Sequence, residues 1–368
     1  MKMTAAMLYA PRDIRVETRE VPACGEHDVI INLKKACLCP TDIKKYDAAK
    51  PDVEGALKEY GPCILGHEAA GVIVEVGAAV TSVKVGDRVA VQPMIPCGHC
   101  RYCKEGRINL CPDVIGVGCS AGGFGDCEKL YLEQGIGGCF ATHLKVPEIC
   151  AMKIPDSLSM EDGSMLEPLA DVVHSVDHAQ VGPEDTVAVM GLGPMGLFHV
   201  VAAKYNGAKK IIAVDLDDGR LAIAKKLGAD ETVNSGTDDP VEAVRAFTDG
   251  VGADKVFVVP GGPAQAICAK QAMDLVAKGG TVSLFSSSPT GADDFVVSIN
   301  RIHYSMINLT GTVGFGTEHA EKAVAMLSSE KFDFSLIRNR ELPLSRIDEA
   351  IAMYSKGENL KVGLDLES

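Results

Sequence analysis

The pattern of apolar and polar positions changes character once along this chain of 368 residues. Up to about residue 158 it consists of short alternating runs cut by glycine and proline, such as AAGVIVEVGAAV and VKVGDRVAV. These predict the strands of a small β-rich domain, and helical period is nearly absent. From about 185, apolar runs of strand length alternate with segments of helical period, the pattern of a parallel sheet with crossover helices. Strands are expected at TVAVM, KKIIAVD, DKVFVV, TVSLF and INLTGTV, with helices near Pro194–Tyr205, Gly219–Leu227, Pro240–Phe247 and Pro263–Val276. Past 313 the pattern predicts a helix near His319–Leu327 and, in ELPLSRIDEAIAMYSKG, a strand followed by a helix capped by Ser345. The length suits two domains at about 150 residues each.

Composition narrows the function. With 36 basic and 50 acidic residues the net charge is −14, which argues against nucleic acid and anionic membrane as partners. The opening MKMTAAMLYAPRD lacks the apolar run of a secretory signal. The longest apolar stretch, Val187 to Ala203, is broken by three glycines and a histidine, so no span of a bilayer is expected. A cytoplasmic location is the expectation, and thirteen cysteines suit that reducing compartment, where thiols serve metals or cores.

Four of those cysteines, Cys97, Cys100, Cys103 and Cys111 in PCGHCRYCKEGRINLC, have the spacing of a structural zinc lobe at about residues 95–113. A shell of four thiolates is closed and leaves no place for a substrate. An iron–sulfur cluster is the competing reading, since Cys-x-x-Cys steps and a Cys111-Pro112 ending occur in ferredoxins, but there the last gap is three residues. A surface disulfide framework is the third reading. After the strand TVAVM comes GLGPMG, with Gly191, Gly193, Pro194, Met195 and Gly196 leading into a helix. Gly191 permits the turn, Gly193 lets backbone N–H groups approach a pyrophosphate, and Gly196 allows close helix–strand packing. Asp215 ends the next strand, where a carboxylate takes the ribose hydroxyls and repels a 2′-phosphate, so NAD is the expected cofactor. Arg220 is the residue that would instead suit a phosphate. Glycines serving packing alone are the plainer alternative.

A second set of metal-competent residues lies outside the lobe: Cys39 in CLCPTD, His67 and Glu68 in LGHEAAG, and Glu167 in MLEPLAD. Singly each is unremarkable, because a lone cysteine more often fills a core. Together with CxTD around Cys39, GHEAAGVIVEVG, VGDRVAV, the lobe, EPL, GLGPMG and the closing NLKVGLDL, the chain resembles the zinc-containing medium-chain alcohol dehydrogenases nearly end to end, especially the sorbitol and threonine dehydrogenase branch. The resemblance implies an α/β fold: a GroES-like β domain (1–158) joined by a C-terminal return (313–368), around a Rossmann doubly wound parallel sheet (159–312), with the active site in the cleft between them. It implies two zinc ions per subunit, a small-molecule alcohol or ketone substrate and a homo-oligomer, dimer or tetramer. Cys39 and His67 would hold the catalytic zinc with either Glu167 or Glu68 as the direct third ligand; with Glu167 in that place, Glu68 would replace or hold the water at the fourth position. Thr41 would take the hydroxyl proton, and Asp42 would orient the ligands.

The departures from the family pattern are also informative. Cys37 and Pro40 stand where glycine is common, which stiffens the Cys39 loop. Lys44 stands where a relay histidine is common. Pointing inward, Lys44 would bind an anionic substituent; otherwise it faces solvent. SAGGFGDCEKLYLEQGIG reads as an inserted segment that covers the cleft, meets another subunit or is solvated. NRIHY, from Asn300 to Tyr304, is similar to a stretch that approaches the subunit interface and cleft in polyol-dehydrogenase relatives, with plain packing as the favoured alternative. The remaining cysteines, Cys24, Cys63, Cys119, Cys127, Cys139, Cys150 and Cys268, read as core or loop thiols. Two other functions stand beside the zinc dehydrogenase: a zinc-free quinone or enoyl reductase, against which Cys39, His67 and Glu167 speak, and a non-catalytic nucleotide-sensing zinc protein.

Overall fold

The computed structural model describes residues 1–47, 52–120, 124–288 and 294–367, without the side chains of 52, 119 and 124–128. The chain forms two compact units. The first combines Met1–Pro168 with Phe315–Glu330 and Phe334–Ser368, and the second is Leu169–Gly314 with Lys331–Asp333. The first crossover therefore falls ten residues later than the sequence expectation of 158, and Glu167 belongs to the β-rich unit. No helix among the described residues is long and apolar enough to cross a membrane.

The β-rich unit carries a seven-stranded sheet. Its main path runs Ala151–Lys153, Arg88–Val91, Glu68–Val76, Asp28–Cys37, Val362–Asp365, Arg340–Pro343, and His143–Pro147 pairs with Asp28–Cys37 off that path. The C-terminal strand Val362–Asp365 thus lies antiparallel beside Asp28–Cys37, which is what returns the end of the chain to the first domain. Alternation decides which face is core: Val29, Ile31 and Leu33 are buried in one apolar cluster with Ala69, Ile73 and Val362. Each such side chain contributes roughly 1.5–3 kcal/mol on burial. Gly71 is required by close crossing of the strands, because a Cβ there would stand 2.3 Å from the Asn32 carbonyl oxygen.

The second unit is a six-stranded parallel sheet in the order Glu231–Asn234, Lys210–Asp215, Thr186–Met190, Ala253–Val258, Val276–Leu284, Asn308–Gly311. Its central strand Thr186–Met190 buries Val187 through Met190 almost completely, as a parallel strand covered on both faces must. The helices follow the expected capping chemistry: Pro194 opens Pro194–Tyr205, and Asp239 before Pro240 accepts from the N–H groups of Val241 and Glu242.

Three expectations are corrected. The β-rich unit is not free of helices, since Pro40–Tyr46, Asp52–Tyr60 and Phe124–Gln134 are helical; Pro40–Tyr46 is too short to show a full apolar stripe, whereas Asp52–Tyr60 carries one in Val53, Ala56 and Leu57, all buried, which the sequence reading passed over. The last of these lies in the inserted segment, whose Phe124–Gln134 part is a helix with Leu130 buried in the core and Tyr131 packed on it, and not a solvated loop. Ser345 does not cap the Ile347–Ser355 helix: it lies in the 3-10 turn Leu344–Arg346, and Arg346 takes the cap position, its side chain donating to Glu349 and capping no backbone N–H. Pro343 fixes an extended residue just before that turn, which delays the helix by one residue.

Candidate catalytic metal centre and dinucleotide loop

Strand register assembles the first site. In the β-rich unit Cys37 stands opposite Glu68 on one side and opposite Gly363 on the other. The residues just beyond these pairs therefore gather at one end of three adjacent strands: Cys39 past Cys37, His67 before Glu68, and Lys361 before Gly363. The Leu38 N–H donates to the Val362 carbonyl at 2.9 Å and holds the loop in place. Donor atoms of Cys39, His67 and Glu68 all lie within 4.8 Å of one another. A tetrahedral site at zinc bond lengths has edges of about 3.3–3.8 Å, so a thiolate, an imidazole and a carboxylate at these spacings fit zinc with a small contraction. The donor set is also the one zinc favours.

Asp42 organises the two loops that bring these donors. It is the third residue of the Pro40–Tyr46 helix, and its Oδ2 accepts from the Cys39 N–H at 2.9 Å, tying the helix start as a reaching-back carboxylate does. Its Oδ1 accepts from the Gly66 N–H at 3.3 Å and lies 3.4 Å from His67 Nδ1. With Nδ1 facing Asp42, Nε2 is the nitrogen left for a metal, the arrangement carboxylates commonly impose on metal-binding histidines. Gly66 itself has φ +93, and a Cβ there would lie 2.4 Å from the Phe140 ring, so only glycine turns the chain into His67.

The site is buried and charged. His67, Glu68, Asp42 and Lys361 are each 1–2% exposed. Burial pulls the His67 imidazole down, but Asp42 and Cys39 outweigh it and carry it well above its ordinary value. Lys361 Nζ donates to Glu68 Oε1 at 2.8 Å, lies 2.6 Å from Oε2, and is 3.4 Å from the Leu38 carbonyl oxygen. Burial works against the lysine charge, yet the Glu68 carboxylate outweighs it and holds the ammonium protonated. Breaking a buried pair of this kind from one side costs about 3–5 kcal/mol. Tyr354, from the Ile347–Ser355 helix, is pushed up by burial and feels the charges of Lys361, Cys39, Glu68 and Asp42.

The remaining residues expected here are placed as follows. Glu167 lies in the first turn of the Leu166–His178 helix and stands outside the three-residue group; it is Glu68, not Glu167, that the strand register brings to Cys39 and His67. Glu167 is still close enough that its charge, behind burial and the charges of Asp42, Glu68 and Cys150, raises the neighbouring Cys139 thiol. Thr41 is half-buried in the helix that Cys39 caps. Lys44 is exposed, the solvent-facing one of its two readings, because the helix directs Asp42 toward the core and Lys44 away from it. Lys361 was missed. The signal was a lysine within the apolar run of NLKVGLDL, and a charge at such a position needs a buried partner.

The four lobe cysteines form the second group, with all four thiols within 4.8 Å. Cys97 and Cys103 sulfurs are 3.9 Å apart and Cys100 and Cys103 3.4 Å, bracketing the edge of about 3.8 Å that a zinc–thiolate tetrahedron requires. Backbone N–H groups of His99 and Cys100 hold the Cys97 thiol down at about 6, whereas burial and the neighbouring sulfurs push Cys103 up to about 12. Four thiolates this close need a cation between them. His99 is not aimed at the group, as its Nδ1 donates to the Cys97 carbonyl at 2.8 Å. Cys63, Cys139 and Cys150 are buried core thiols; the side chains of Cys119 and Cys127 lie outside the described residues.

In the second unit the glycine loop has the shape its sequence implies. Gly191 has φ +85 with Pro260 2.5 Å from where a Cβ would be, and a Cβ on Gly196 would collide with the Gly191 carbonyl oxygen at 1.8 Å. Gly193, by contrast, has open space on that side. It caps the Pro194–Tyr205 helix without a side-chain hydrogen bond, so the helix N-terminus presents backbone donors suited to a pyrophosphate. Asp215 ties this loop to the next strand: Oδ2 accepts from Leu192 N at 2.5 Å, and Oδ1 from Leu216 N and Asp217 N at 2.8 and 3.0 Å. Exposed Asp217 and Asp218 follow it, and Arg220 is half-buried one turn into the Asp218–Lys226 helix. In the same unit Arg301 of NRIHY donates to the Met273 and Val276 carbonyls, while Tyr304 is exposed.

Comparison with known proteins agrees with this construction. Residues 25–156 match the alcohol dehydrogenase GroES-like domain and residues 194–329 match zinc-binding dehydrogenase. The chain is 32% identical over 365 residues to a sorbitol dehydrogenase of Bacillus subtilis (strain 168), covering 98% of this chain and 96% of that one. It is 31% identical over 354 residues to an L-threonine 3-dehydrogenase of Chelativorans sp. (strain BNC1), covering 95% and 94%. A zinc-binding dehydrogenase structure from Sinorhizobium meliloti 1021, solved bound to NADP, superposes with a TM-score of 0.85 at 26% identity over 99% of both chains. The chain belongs to the zinc-containing medium-chain alcohol dehydrogenases, in the branch of the sorbitol and threonine dehydrogenases. Its relatives are oxidoreductases of alcohols and polyols.

Proposed function

We propose that the protein is an NAD-dependent dehydrogenase of a neutral polyol or secondary alcohol, working in either direction with two zinc ions per chain. The observation that carries this reading is the convergence of Cys39, His67 and Glu68 within 4.8 Å at one end of three strands, in a chain that also has a glycine loop open at Gly193. Zinc held by these residues would supply Lewis-acid stabilisation of negative charge on a substrate oxygen. The alcohol gives up hydride from its carbinol carbon to the nicotinamide and a proton from its hydroxyl, leaving a ketone, NADH and H⁺. Thr41, in the helix that Cys39 caps, would accept a hydrogen bond from the substrate hydroxyl and pass its own proton on toward solvent as that hydroxyl ionises, and Asp42 faces His67 Nδ1, which leaves Nε2 for the metal. Glu167 stands outside this group and adds negative charge at the neighbouring Cys139.

The substrate class follows from what surrounds the donors. An anionic substituent would need a fixed cation, and the candidate, Lys44, is exposed, while Lys361 is already engaged by Glu68. The sorbitol dehydrogenase relative supports a polyol, and the threonine dehydrogenase relative an amino alcohol as the nearest competitor. Preference for NAD rests on Asp215 with Asp217 and Asp218 beyond it. The test is a panel of neutral polyols, amino alcohols, hydroxy acids and sugar phosphates followed by NADH absorbance, with metal analysis of the same sample. Turnover of neutral polyols, two zinc ions per chain and loss of turnover in Cys39→Ser are expected. One zinc per chain, or a fully active Cys39→Ser, would refute the reading.

A further inference from the structure

The hairpin that opens the chain touches both segments that carry the metal donors. Its first strand, Lys2–Ala10, pairs Met7 with Ile64 and Leu8 with Cys63, on the short strand that leads into His67. Its turn, Pro11 and Arg12, joins the paired residues Ala10 and Asp13 and reaches the far end of the Pro40–Tyr46 helix, which Cys39 begins. The Arg12 N–H donates to the Tyr46 carbonyl at 2.8 Å, the Tyr46 hydroxyl donates to the Arg12 carbonyl at 3.3 Å, and Arg12 Nε donates to Asp47 Oδ1 at 2.8 Å.

Two residues of this contact stand where local rules disfavour them. Arg12 has φ +61, a left-handed conformation that glycine adopts freely and a residue with a side chain adopts at a cost. Asp47 puts a carboxylate at the C-terminal cap of the helix, where the last carbonyls already carry partial negative charge. Each placement makes sense through the other, because the guanidinium sits against the carboxylate. Backbone strain of this kind is kept where the surroundings need the residue.

We propose that Arg12 is a positioning residue for the metal site: through Tyr46 and Asp47 it fixes the far end of the Cys39 helix, and with it the direction in which Cys39 and Thr41 are presented beside His67. Asp42 already ties the near ends of the same two segments, through the Cys39 and Gly66 N–H groups. Arg12 ties the far end, and a helix of about two turns held at both ends has no free end about which to pivot. This inference rests on the metal reading above.

The test uses the full-length zinc protein and a form with cobalt at the Cys39 site, in wild type, Arg12→Gly, Asp47→Asn and the double variant. The side chains are 72% and 36% exposed, and an exposed ion pair shifts an equilibrium by at most about fivefold. Arg12→Gly keeps the N–H that bonds Tyr46, relieves the left-handed backbone and removes the guanidinium. Its thermal midpoint is therefore expected to equal or exceed that of wild type, while kcat on the fastest polyol falls roughly threefold, the KM for NAD holds and the visible cobalt bands shift. Asp47→Asn should behave alike, and the double variant should be no worse than either single one, because the two residues act as a pair. Wild-type kcat and cobalt bands in Arg12→Gly, whether or not its midpoint drops, would overturn the proposal, as would a double variant that loses the product of the two single effects. A wild type with no metal at Cys39 would refute the metal reading itself; a metal there that ignores both Arg12 and Asp47 defeats only this inference.

Discussion

His199, in the Pro194–Tyr205 helix, is completely buried between Phe257 and Phe285 and uses both ring nitrogens. Nδ1 donates to the Met195 carbonyl at 2.7 Å, which leaves Nε2 to accept from the Ser175 hydroxyl at 3.2 Å. The neutral ring is satisfied, and a second proton would place an unpaired charge in the core. Burial accordingly lowers its pKa to about 4, with the Met195 carbonyl pulling the other way. Since the unfolded imidazole titrates near 6.5 and binds the extra proton first, stability from this group is complete above about 6.5 and declines as pH falls toward 4. That window spans roughly 3 kcal/mol. Thermal unfolding of wild type should lose that much more stability than His199→Gln between pH 7 and 4; parallel curves would refute it. Asp215 makes a second prediction at this scale. A 2′-phosphate with nearly two charges beside its carboxylate costs several kcal/mol at an effective dielectric near 20, so kcat/KM with NADP should fall at least about a hundredfold below that with NAD. Asp215→Asn should narrow the gap without closing it, because Asp217 and Asp218 remain. Equal wild-type values for the two cofactors would contradict the argument. Single residues were legible where chemistry and spacing coincide, as at Cys39, His67 and Gly193. They were illegible where a partner arrives from far along the chain: nothing near Glu68 announces Lys361, and only strand register puts it there and leaves Glu167 outside the group.

Elements show the same division. The parallel-sheet half was readable in five of its six strands, since apolar runs of strand length alternate with helical segments whose starts Pro194 and Pro240 mark; the edge strand Glu231–Asn234, with one buried residue, shows no apolar run. The β-rich half hid its Pro40–Tyr46 helix, which is two turns long and is set by Asp42 reaching back to Cys39, a contact that carries no periodic signal. The lobe is the opposite case: almost no regular structure, only the turn Arg101–Lys104 and the 3-10 turn Ile108–Leu110, yet fully specified by four cysteines. With the lobe zinc of the proposed function in place, the metal would supply the order that regular structure does not. Cys103→Ser, which removes one of four thiolates from a closed shell, should lower the thermal midpoint and lose one zinc while any surviving folded protein keeps the cobalt spectrum of the Cys39 site. A Cys103→Ser protein as stable as wild type and with both zinc ions would show that the lobe is ordered without its metal.

At the scale of the whole molecule, one chain carries two groups of metal-competent donors built on opposite logic. The lobe encloses its site with four thiolates and offers no position to solvent. The Cys39 site has three donors, one of them shared with Lys361, and depends on strand ends set by the C-terminal return of the chain. A chelator must find an open coordination position before it can compete, so the two sites should empty at different rates. Brief chelation at neutral pH should remove one zinc per chain and all turnover while the circular dichroism spectrum and thermal midpoint stay nearly unchanged. Prolonged chelation should then remove the second zinc and lower the midpoint. Adding back one equivalent of zinc after the brief treatment should restore activity, because the fold that aligns Cys39, His67 and Glu68 is held by sheet register and by Asp42, not by the metal itself. If both zinc ions leave together, or if activity and thermal stability are lost in step, the division into a scaffold metal and a working metal is wrong.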